Sequence, residues 1–263
     1  MSPIKNENLL NVGMEAAIAA SHIIMEALEK PRVAHHKGKT NLVTETDHLS
    51  EKMIKSIIRA SCPDHGFLAE ESGQDPSESD YLWIIDPLDG TTNFVHGYPS
   101  FAVSIGLFLQ NEPLIAVVIE MPHTKLYTAI QGEGVWCDGQ SISCSQRGSI
   151  DKSLLVTGFG YEHGELWEKN MRLYKHFTDT TQGVRRLGAA AVDLCHVASG
   201  KVDGFWEFDL QPWDTAAGIL IAQEAGCMVT QMDGSDYSIY DNNILVANPQ
   251  VHSKMVAEIR PFI

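Results

Sequence analysis

Cysteine is scarce in this sequence, and its arrangement argues against both a disulfide framework and a zinc site. The five cysteines are odd in number, widely spread and include no Cys-x-x-Cys pair. Eleven histidines are likewise scattered, without the short spacings that bind metal ions. We therefore expect reduced, mostly buried thiols, and histidines in packed or surface positions.

Positive charge is also in short supply. Nineteen lysines and arginines face 34 acids, which gives a formal net charge of -15. Proteins that bind nucleic acid by neutralising phosphates need a basic surface, so this balance argues against a nucleic-acid partner. An anionic substrate would need local positive charge, and bound metal cations are a strong local source of it.

The apolar runs fall well short of a membrane span, so we expect no membrane association. The first eight residues lack the basic region, apolar stretch and small-residue cleavage site of a signal peptide, and we expect a cytoplasmic protein. The chain has 263 residues, of which 44% are hydrophobic and 20% charged. These values are typical of a globular protein that forms one large α/β domain or two closely packed halves.

Apolar periodicity predicts a sheet-rich first half and a second half in which strands and helices alternate. This change predicts an α+β subdomain over 1–148 and an α/β subdomain over 149–263, packed as one compact unit with a cleft between them. The predicted elements include a helix at 8–30, a flexible loop at 37–41, a strand at 42–46, a helix with Asp47 as its N-cap, a polar loop up to residue 80, a hairpin at 101–119, strands at 126–130, 134–137, 154–158, 184–188, 202–207, 227–231 and 243–247, and helices at 164–177, 189–200 and 215–226.

The segment 83–94 ends an apolar run at two acids, Asp86 and Asp89. Pro87 has no N–H for a sheet ladder, so we expect the strand to stop pairing there and the acids to project from a turn. Gly90 allows a close turn, and the polar side chains after it can cap a helix or bind an ion. A solvated turn is the alternative, but two acids beside a buried run repel each other unless a cation neutralises them.

Two further acidic groups follow apolar segments: Glu70 with Glu71, and Asp214 just before a predicted helix. Taken singly, Glu70 is also typical of a solvated loop, and Asp214 of a helix N-cap. Together with Asp86 and Asp89 they form a histidine-free carboxylate set, which suits Mg²⁺ better than Zn²⁺.

The spacing of Asp86 and Asp89 excludes one class of phosphatase. Enzymes that form an aspartyl phosphate place the nucleophile two residues before the second acid, whereas these acids are three positions apart. We expect no covalent phosphoaspartate. A Gly-Phe-Gly segment at 158–160 lacks the third glycine of a dinucleotide-binding loop, so it predicts no such site.

These residues together resemble the inositol monophosphatase family. The resemblance rests on Ala-Glu-Glu-Ser at 69–72, Asp-Pro-Leu-Asp-Gly-Thr-Thr-Asn at 86–93 and Trp-Asp-Thr-Ala-Ala-Gly at 213–218, in the family's order and separations. Weaker matches at 42–47 and 186–191 extend it over nearly the whole chain. It implies a layered α-β-α-β-α sandwich of the sugar-phosphatase type, of α+β or α/β class, a homodimer, and a lithium-sensitive, Mg²⁺-dependent hydrolase of phosphoric monoesters.

The resemblance also implies roles for individual residues in catalysis and metal binding. Glu70 and Thr91 fall where the family activates the attacking water, and Asp47 falls where it supports Thr91. Metal ions both generate a hydroxide and neutralise the attacked phosphate, so no covalent intermediate is needed. The residues implied to bind up to three Mg²⁺ ions are Glu70, Asp86, Leu88 through its carbonyl, Asp89 and Asp214.

A second set of positions is implied to contact the substrate. Glu207 falls where a ring hydroxyl is held, and Ala190 where a backbone group contacts the polyol. Arg185 and Arg186 form a basic pair near the predicted cleft, suited to a second phosphate, to a subunit interface or to solvent. The predicted substrate-binding residues are Asp89, Gly90, Thr91, Ala190, Glu207, Asp214 and Arg185.

We therefore predict a phosphatase acting on myo-inositol 1-phosphate or a similar small polyol phosphate. On the same scaffold, a sugar bisphosphatase, a nucleotide 3′-phosphatase or a histidinol phosphatase remains an alternative. A binding or regulatory protein of the same fold is a further alternative. A pure binding module, however, has no need of every acid together with Thr91.

Overall fold

The computed structural model describes residues 6–31, 33–36, 42–75 and 77–263. The flexible loop predicted at 37–41 lies outside these residues. Helices run over α1 Asn6–Leu28, α2 Glu45–Ser61, α3 Thr91–His96, α4 Glu165–Thr180, α5 Ala190–Ala198, α6 Pro212–Glu224 and α7 Pro249–Ile259. Strands run over β1 Ala34–His36, β2 Leu42–Thr44, β3 Gly66–Ala69, β4 Gly73–Asp75, β5 Tyr81–Asp89, β6 Phe101–Leu109, β7 Glu112–Met121, β8 Lys125–Ile130, β9 Gly134–Cys137, β10 Gln140–Ser141, β11 Leu154–Thr157, β12 Gly183–Arg185, β13 Gly204–Phe208, β14 Met228–Thr230 and β15 Asn243–Ala247.

Two large sheets organise these elements. The first has the strand order β10-β9-β8-β7-β6-β5-β3-β4 and draws its strands from residues 66–141. The second has the order β12-β11-β13-β15-β14 and uses residues 154–247. The antiparallel hairpin of β6 and β7 and the meander through β8 and β9 agree with the sequence prediction. The subdomain boundary near residue 149 stays a prediction.

Helices cover and separate the two sheets. Helices α1 and α2 pack on one face of the first sheet, α5 and α6 lie between the sheets, and α4 and α7 cover the outer face of the second. Most residues of α5 and α6 are buried, as expected for helices enclosed on both sides. The predicted α-β-α-β-α sandwich is therefore confirmed. Within the described residues, no helix is long and apolar enough to cross a membrane.

A small residue sets the close approach of α6 to the first sheet. A Cβ atom at Gly106, in β6, would lie 3.1 Å from Ala216 of α6. Because the strand has a glycine there, the helix backbone can lie directly on the sheet. This contact fixes where the first turn of α6, and with it Asp214, stands relative to β5 and β6.

Two helix starts differ from the prediction in the same way. Asp47 is not the N-cap of α2: Thr44 is, and Asp47 is the third helical residue. Asp214 is not before α6 but is its third residue, after the cap Gln211. Each acid accepts a hydrogen bond from the backbone N–H of its cap residue, Asp47 at 2.8 Å and Asp214 at 2.7 Å. An acid three residues after the cap completes a capping box, which explains both shifts.

The strand carrying the central acids also continues further than predicted. Strand β5 pairs with β6 at Asp86 opposite Ser104 and pairs again at Asp89 opposite Ala102. Three steps along β5 thus match two along β6, which is a bulge. Pro87 lies in the bulge, where the ladder is already interrupted and no N–H is required. The expected end of pairing at Pro87 is therefore wrong, because the bulge absorbs the proline. The polar loop predicted up to residue 80 also contains β4, which pairs with β3.

Candidate active site

Parallel pairing brings two of the acids together at one edge of the first sheet. Strand β3 runs parallel to β5, with Ala69 opposite Ile85. The N–H of Glu70 continues this ladder by donating to the Ile85 carbonyl at 3.1 Å. Parallel strands present the same ends at one edge, so Glu70 comes out beside Asp86.

The bulge in β5 holds the central acids in place. The backbone N–H of Leu88 donates to Asp86 Oδ1 at 3.0 Å, and the Ser50 hydroxyl donates to the Pro87 carbonyl at 2.7 Å. Asp86 and Asp89 are only 2% and 7% exposed. Two buried carboxylates thus lie three positions apart in the sequence. The backbone between them is held by the hydrogen bond from Ser50 of α2.

Gly90 allows the chain to pass close to the second half of the protein. Its φ of +86° lies in the left-handed region, and it precedes α3 as the N-cap. A Cβ atom there would lie 3.0 Å from the Ser100 carbonyl oxygen and 3.2 Å from that of Gly188. Both the dihedral angle and the space therefore require glycine. The Asn93 side chain closes the same contact by donating to the Ser100 and Leu187 carbonyls, each at 2.7 Å.

Thr91 and Asp47 form a buried hydrogen-bonded pair. The Thr91 hydroxyl oxygen lies 3.0 Å from Asp47 Oδ1 and 3.1 Å from the Leu88 carbonyl oxygen. Asp47 Oδ2 accepts from both the N–H and the hydroxyl of Thr44, at 2.8 and 2.6 Å. Burial raises the pKa of Asp47 although these hydrogen bonds oppose the shift. Thr91 has one proton, which it donates to one of its two acceptors, so its oxygen lone pairs can accept from a water molecule.

Helices α5 and α6 complete the cluster from the second half of the chain. The N–H of Ala191, in the first turn of α5, donates to Asp89 Oδ2 at 2.8 Å. Asp214 stands in the first turn of α6, held by the N–H of Gln211. The structure therefore brings Glu70, Asp86, Asp89 and Asp214 to one cavity, as the sequence predicts for a single split site.

This acidic cavity has a volume of about 1060 Å³. Among the described residues that line it, eight are acids and one, Arg186, is an arginine. A phosphate would meet strong repulsion there unless cations entered with it. The eight acids are Glu70, Asp86, Asp89, Glu162, Asp193, Glu207, Asp209 and Asp214.

The clustered acids resist ionisation. Burial, followed by the charges of Glu70, Asp89 and Asp214, raises the pKa of Asp86 well above its usual range. Burial and the charge of Asp89 do the same to the pKa of Asp214. Burial also raises the pKa of Asp89, to about 7, against the opposing hydrogen bond from Ala191. Full ionisation of these carboxyl groups is therefore unfavourable unless positive charge lies among them.

The donor set fits hard divalent cations. In the part of the chain that the structure describes, no three His, Cys, Asp or Glu side chains already enclose an ion position. The acids instead line the cavity, as mutually repelling carboxylates do. Carboxylates with a backbone carbonyl from Leu88 are the oxygen ligands that Mg²⁺ prefers. Positive charge among them would also remove the repulsion that raises their pKa values.

Glu207 reaches the same cavity from β13 in the second sheet. It is buried, and a Cβ atom at Gly158 would overlap both of its carboxylate oxygens. Burial and the charge of Asp214 raise the pKa of Glu207, while Arg186 and a hydrogen bond from the Gly158 backbone lower it. Because residue 158 is a glycine, there is space for the Glu207 carboxylate at this position.

Of the adjacent arginines, Arg186 rather than Arg185 faces the cavity. Arg185 ends the edge strand β12, is exposed, and donates to its neighbour's carbonyl, that of Val184, at 3.4 Å. Successive side chains of an extended chain point to opposite sides, so only one member of the pair turns inward. The structure thus places the predicted Arg185 outside the cavity, and Ala190 and Arg186 on its wall.

Several wall residues are not among those predicted from the sequence, and two of them bear on the chemistry of the site. Asp193 lies in α5, and its signal was a lone acid within the otherwise apolar segment 189–195. Tyr161 lies at the mouth and is 52% exposed. Partial burial of its hydroxyl, followed by the charges of Asp89 and Asp214, raises the pKa of Tyr161 to about 12.

Comparison with known proteins gives a consistent assignment. Residues 5–263 match the model of the inositol monophosphatase family. The Arabidopsis thaliana protein "Phosphatase IMPL1, chloroplastic" is 48% identical over 265 residues, covering 98% of this chain and 71% of that protein. "Inositol-1-monophosphatase" of Synechocystis sp. is 42% identical over 256 residues, covering 97% of this chain and 89% of that protein. The solved structure of inositol monophosphatase from Anabaena has a TM-score of 0.89 at 38% identity, covering 98% and 97% of the two chains.

Proposed function

We propose, since this chain belongs to the inositol monophosphatase family of phosphatases, that it hydrolyses myo-inositol 1-phosphate or a similar small polyol phosphate with Mg²⁺ as its cofactor. The observation that carries the proposal is the convergence of Glu70, Asp86, Asp89 and Asp214 on one cavity beside the Thr91–Asp47 pair. A net acidic cavity that must accept a phosphate requires resident cations.

Glu70, Asp86, the Leu88 carbonyl, Asp89 and Asp214 would hold up to three Mg²⁺ ions. Such ions lower the pKa of bound water and neutralise charge on the phosphate and the departing alkoxide. Asp47 keeps the Thr91 hydroxyl turned so that its oxygen can accept a hydrogen bond from the attacking water. Glu70, on the adjacent strand end, would supply a second acceptor for that water, which would then attack phosphorus directly without a covalent intermediate.

The protein's own backbone would position the phosphate. Gly90 and Thr91 present N–H groups at the start of α3, next to the Asp89 carboxylate. Because Gly90 has no side chain, this turn can pack directly against the Ser100 and Gly188 carbonyls, which fixes the backbone that would bind the phosphate. This arrangement binds an anion by hydrogen bonds that cost no side-chain ordering.

The alcohol part would extend towards Glu207 and Ala190. A carboxylate can accept hydrogen bonds from substrate hydroxyls, and Glu207 is already fixed by the Gly158 backbone. Arg186, on the cavity wall, replaces Arg185 in our proposal as the residue that balances charge at this end.

A phosphate-release assay tests the proposal. The purified protein should release phosphate from myo-inositol 1-phosphate faster than from phenyl phosphate, and chelation of Mg²⁺ should abolish both activities. A sugar bisphosphate, a nucleotide 3′-phosphate and histidinol phosphate belong in the same panel, because each corresponds to an alternative on this scaffold. Equal rates for inositol phosphate and phenyl phosphate would overturn the polyol assignment, and absence of all hydrolysis would favour a binding protein of the same fold.

Three expectations from the family resemblance accompany this proposal. Lithium should inhibit turnover, which a titration with LiCl against a KCl control measures. The protein should be a homodimer, which light scattering after gel filtration measures. We also expect it in the cytoplasm, where fractionation would find it with soluble enzymes.

A further inference from the structure

Asp193 is a buried acid whose carboxyl group lacks a hydrogen-bond partner. The residue is 1% exposed, and neither of its carboxyl oxygens is hydrogen-bonded to any described residue. A buried polar group left without a partner is destabilising, and such groups are rare in folded proteins. An acid in this position therefore calls for a function that the folded chain alone does not reveal.

The helix places Asp193 on the cavity wall. It follows Ala190 by three residues in α5, so the two lie on the same side of the helix, and both line the acidic cavity. The residues between them, Ala191 and Val192, pack into the core on the other side. The side of α5 that carries Ala190 and Asp193 thus borders the cavity.

Asp193 shares the cavity wall with Glu207 and Arg186, the residues at the proposed alcohol end. After burial, the charge of Glu207 is the largest influence that raises its pKa, followed by that of Asp89, while Arg186 opposes the shift. Glu207 and Arg186 are therefore charged neighbours of Asp193, and all three line the same cavity.

A structural role within the helix does not account for this carboxyl group. An acid in the first turn of a helix gains from the helix dipole and from N–H groups that lack partners. In α5, however, Asp89 accepts the Ala191 N–H, and Asp193 donates its own N–H to the Ala189 carbonyl at 3.0 Å. Neither backbone group is a partner of the Asp193 carboxyl group, whose two buried oxygens accept no hydrogen bond from the described residues.

We propose that Asp193 is a specificity-determining residue that binds a hydroxyl group of the substrate's alcohol, so that Asp193 and Glu207 together recognise a polyol. This inference rests on the proposed polyol phosphatase function. A hydroxyl is the partner that fits, because it both donates and accepts hydrogen bonds and adds no charge beside Glu207. A second phosphate would face two acids there, so the site disfavours bisphosphates.

The test compares two substrates in three variants of the full chain with saturating Mg²⁺. In Asp193→Ala, kcat/KM for myo-inositol 1-phosphate should fall roughly 10- to 100-fold, the loss expected when a buried hydrogen bond to a substrate hydroxyl is removed. The value for phenyl phosphate, which has no alcohol hydroxyls, should change by less than about threefold. Asp193→Asn, which keeps hydrogen-bonding atoms, should recover part of the loss. Glu162→Gln, at the exposed mouth, is the control for removing one charge from the cavity.

Thermal unfolding of the same variants separates substrate binding from a structural role. Removing a buried carboxyl without a partner should leave the Tm unchanged or raise it, whereas a hidden structural partner would make the Tm fall. A wild-type preference for inositol phosphate that persists in Asp193→Ala overturns this inference alone, as does an equal loss on both substrates. A wild-type enzyme with no preference for the polyol overturns the proposed function and this inference with it.

Discussion

The carboxylate of Asp89 accepts a hydrogen bond from the backbone N–H of Ala191 at 2.8 Å, across 102 positions of sequence. Asp89 ends the strand that carries the central acids, and Ala191 lies in the first turn of the helix that carries Ala190 and Asp193. One carboxylate thus has two tasks. One oxygen ties the first sheet to the central helix layer, and the group also belongs to the proposed metal set.

Asp89→Asn separates these tasks. Asparagine keeps an oxygen that can accept from Ala191, but it loses the charge that a cation needs. We expect kcat with Mg²⁺ to fall at least about 100-fold. The Tm without Mg²⁺ should stay level or rise, because one of four mutually repelling acids is removed. Phosphate release and thermal unfolding measure the two effects. Asp209→Asn, at a residue with φ of +64° that asparagine tolerates, is the charge-matched control. Full activity in Asp89→Asn would contradict the proposed metal set.

Asp47→Asn tests the orientation of the Thr91 hydroxyl. An amide nitrogen facing Thr91 would donate rather than accept, so the hydroxyl would turn its proton towards Leu88. We expect kcat to fall roughly 10- to 100-fold with little change in KM, because the attacking water loses its alignment. Thr91→Ser, which keeps the hydroxyl, should retain most of the turnover. A rise in KM with unchanged kcat in Asp47→Asn would assign Asp47 to substrate binding instead.

Gly158→Ala tests the space that holds Glu207. The added methyl group would overlap both carboxylate oxygens, so Glu207 must leave its position. We expect kcat/KM for myo-inositol 1-phosphate to fall about tenfold or more, while phenyl phosphate is affected much less. Gly164→Ala is the matched control, because it also lines the cavity and a Cβ atom there meets nothing within 4 Å. Equal losses in both variants would show a general loosening of this wall.

Glu120 offers a stability test away from the site. It accepts a hydrogen bond from the Tyr127 hydroxyl at 3.1 Å and lies 3.1 Å from His196 Nε2 and 3.5 Å from Lys201 Nζ. Burial alone would raise its pKa, but these partners, His196 foremost, lower the pKa of Glu120 to about 2. A lowered carboxyl pKa adds stability above its unfolded-state pKa of about 4.3, and that stability is lost as the pH falls towards the folded value.

Glu120→Gln should therefore lower the free energy of unfolding at pH 7, on the order of 2 kcal/mol. The difference from the wild type should shrink as the pH falls from about 5 to about 3. Urea unfolding of both proteins across this range measures it. Glu133→Gln, an exposed acid on a nearby turn, should show no such trend. A difference that stays constant with pH would mean that the charge of Glu120 does not stabilise the fold.

Much of the fold follows from local patterns in the sequence. The strand at Asn243–Ala247 lies where the sequence predicts one, because a short apolar run between polar neighbours is typical of a buried strand. The errors fall where a distant contact decides the geometry. Asp47 and Asp214 have N-cap chemistry, yet each closes a capping box from the third helical position. The proline in β5 indicates a strand end unless the neighbouring strand permits a bulge, which no local pattern shows.

The residues of the candidate site also fall into two groups: those that local sequence patterns identify and those whose position depends on distant contacts. The acids could be grouped from the sequence because each ends an apolar segment, a pattern that tertiary structure does not alter. The wall of the alcohol end could not be grouped in this way. Whether Arg185 or Arg186 turns inward depends on the twist of an edge strand, and the place of Asp193 on the cavity wall depends on how α5 packs between the two sheets.

The position of α5 and α6 between the two sheets also bears on how the protein is made. During synthesis the strands carrying Glu70, Asp86 and Asp89 leave the ribosome well before Asp214. The first sheet then bears clustered acids with nothing to cover them. Docking of the two central helices must close chain loops of about a hundred residues, which is entropically costly and slow. The emergence of phosphatase activity would therefore report the last stage of folding, and a cation bound among the acids would favour that stage by attaching both parts of the chain at once.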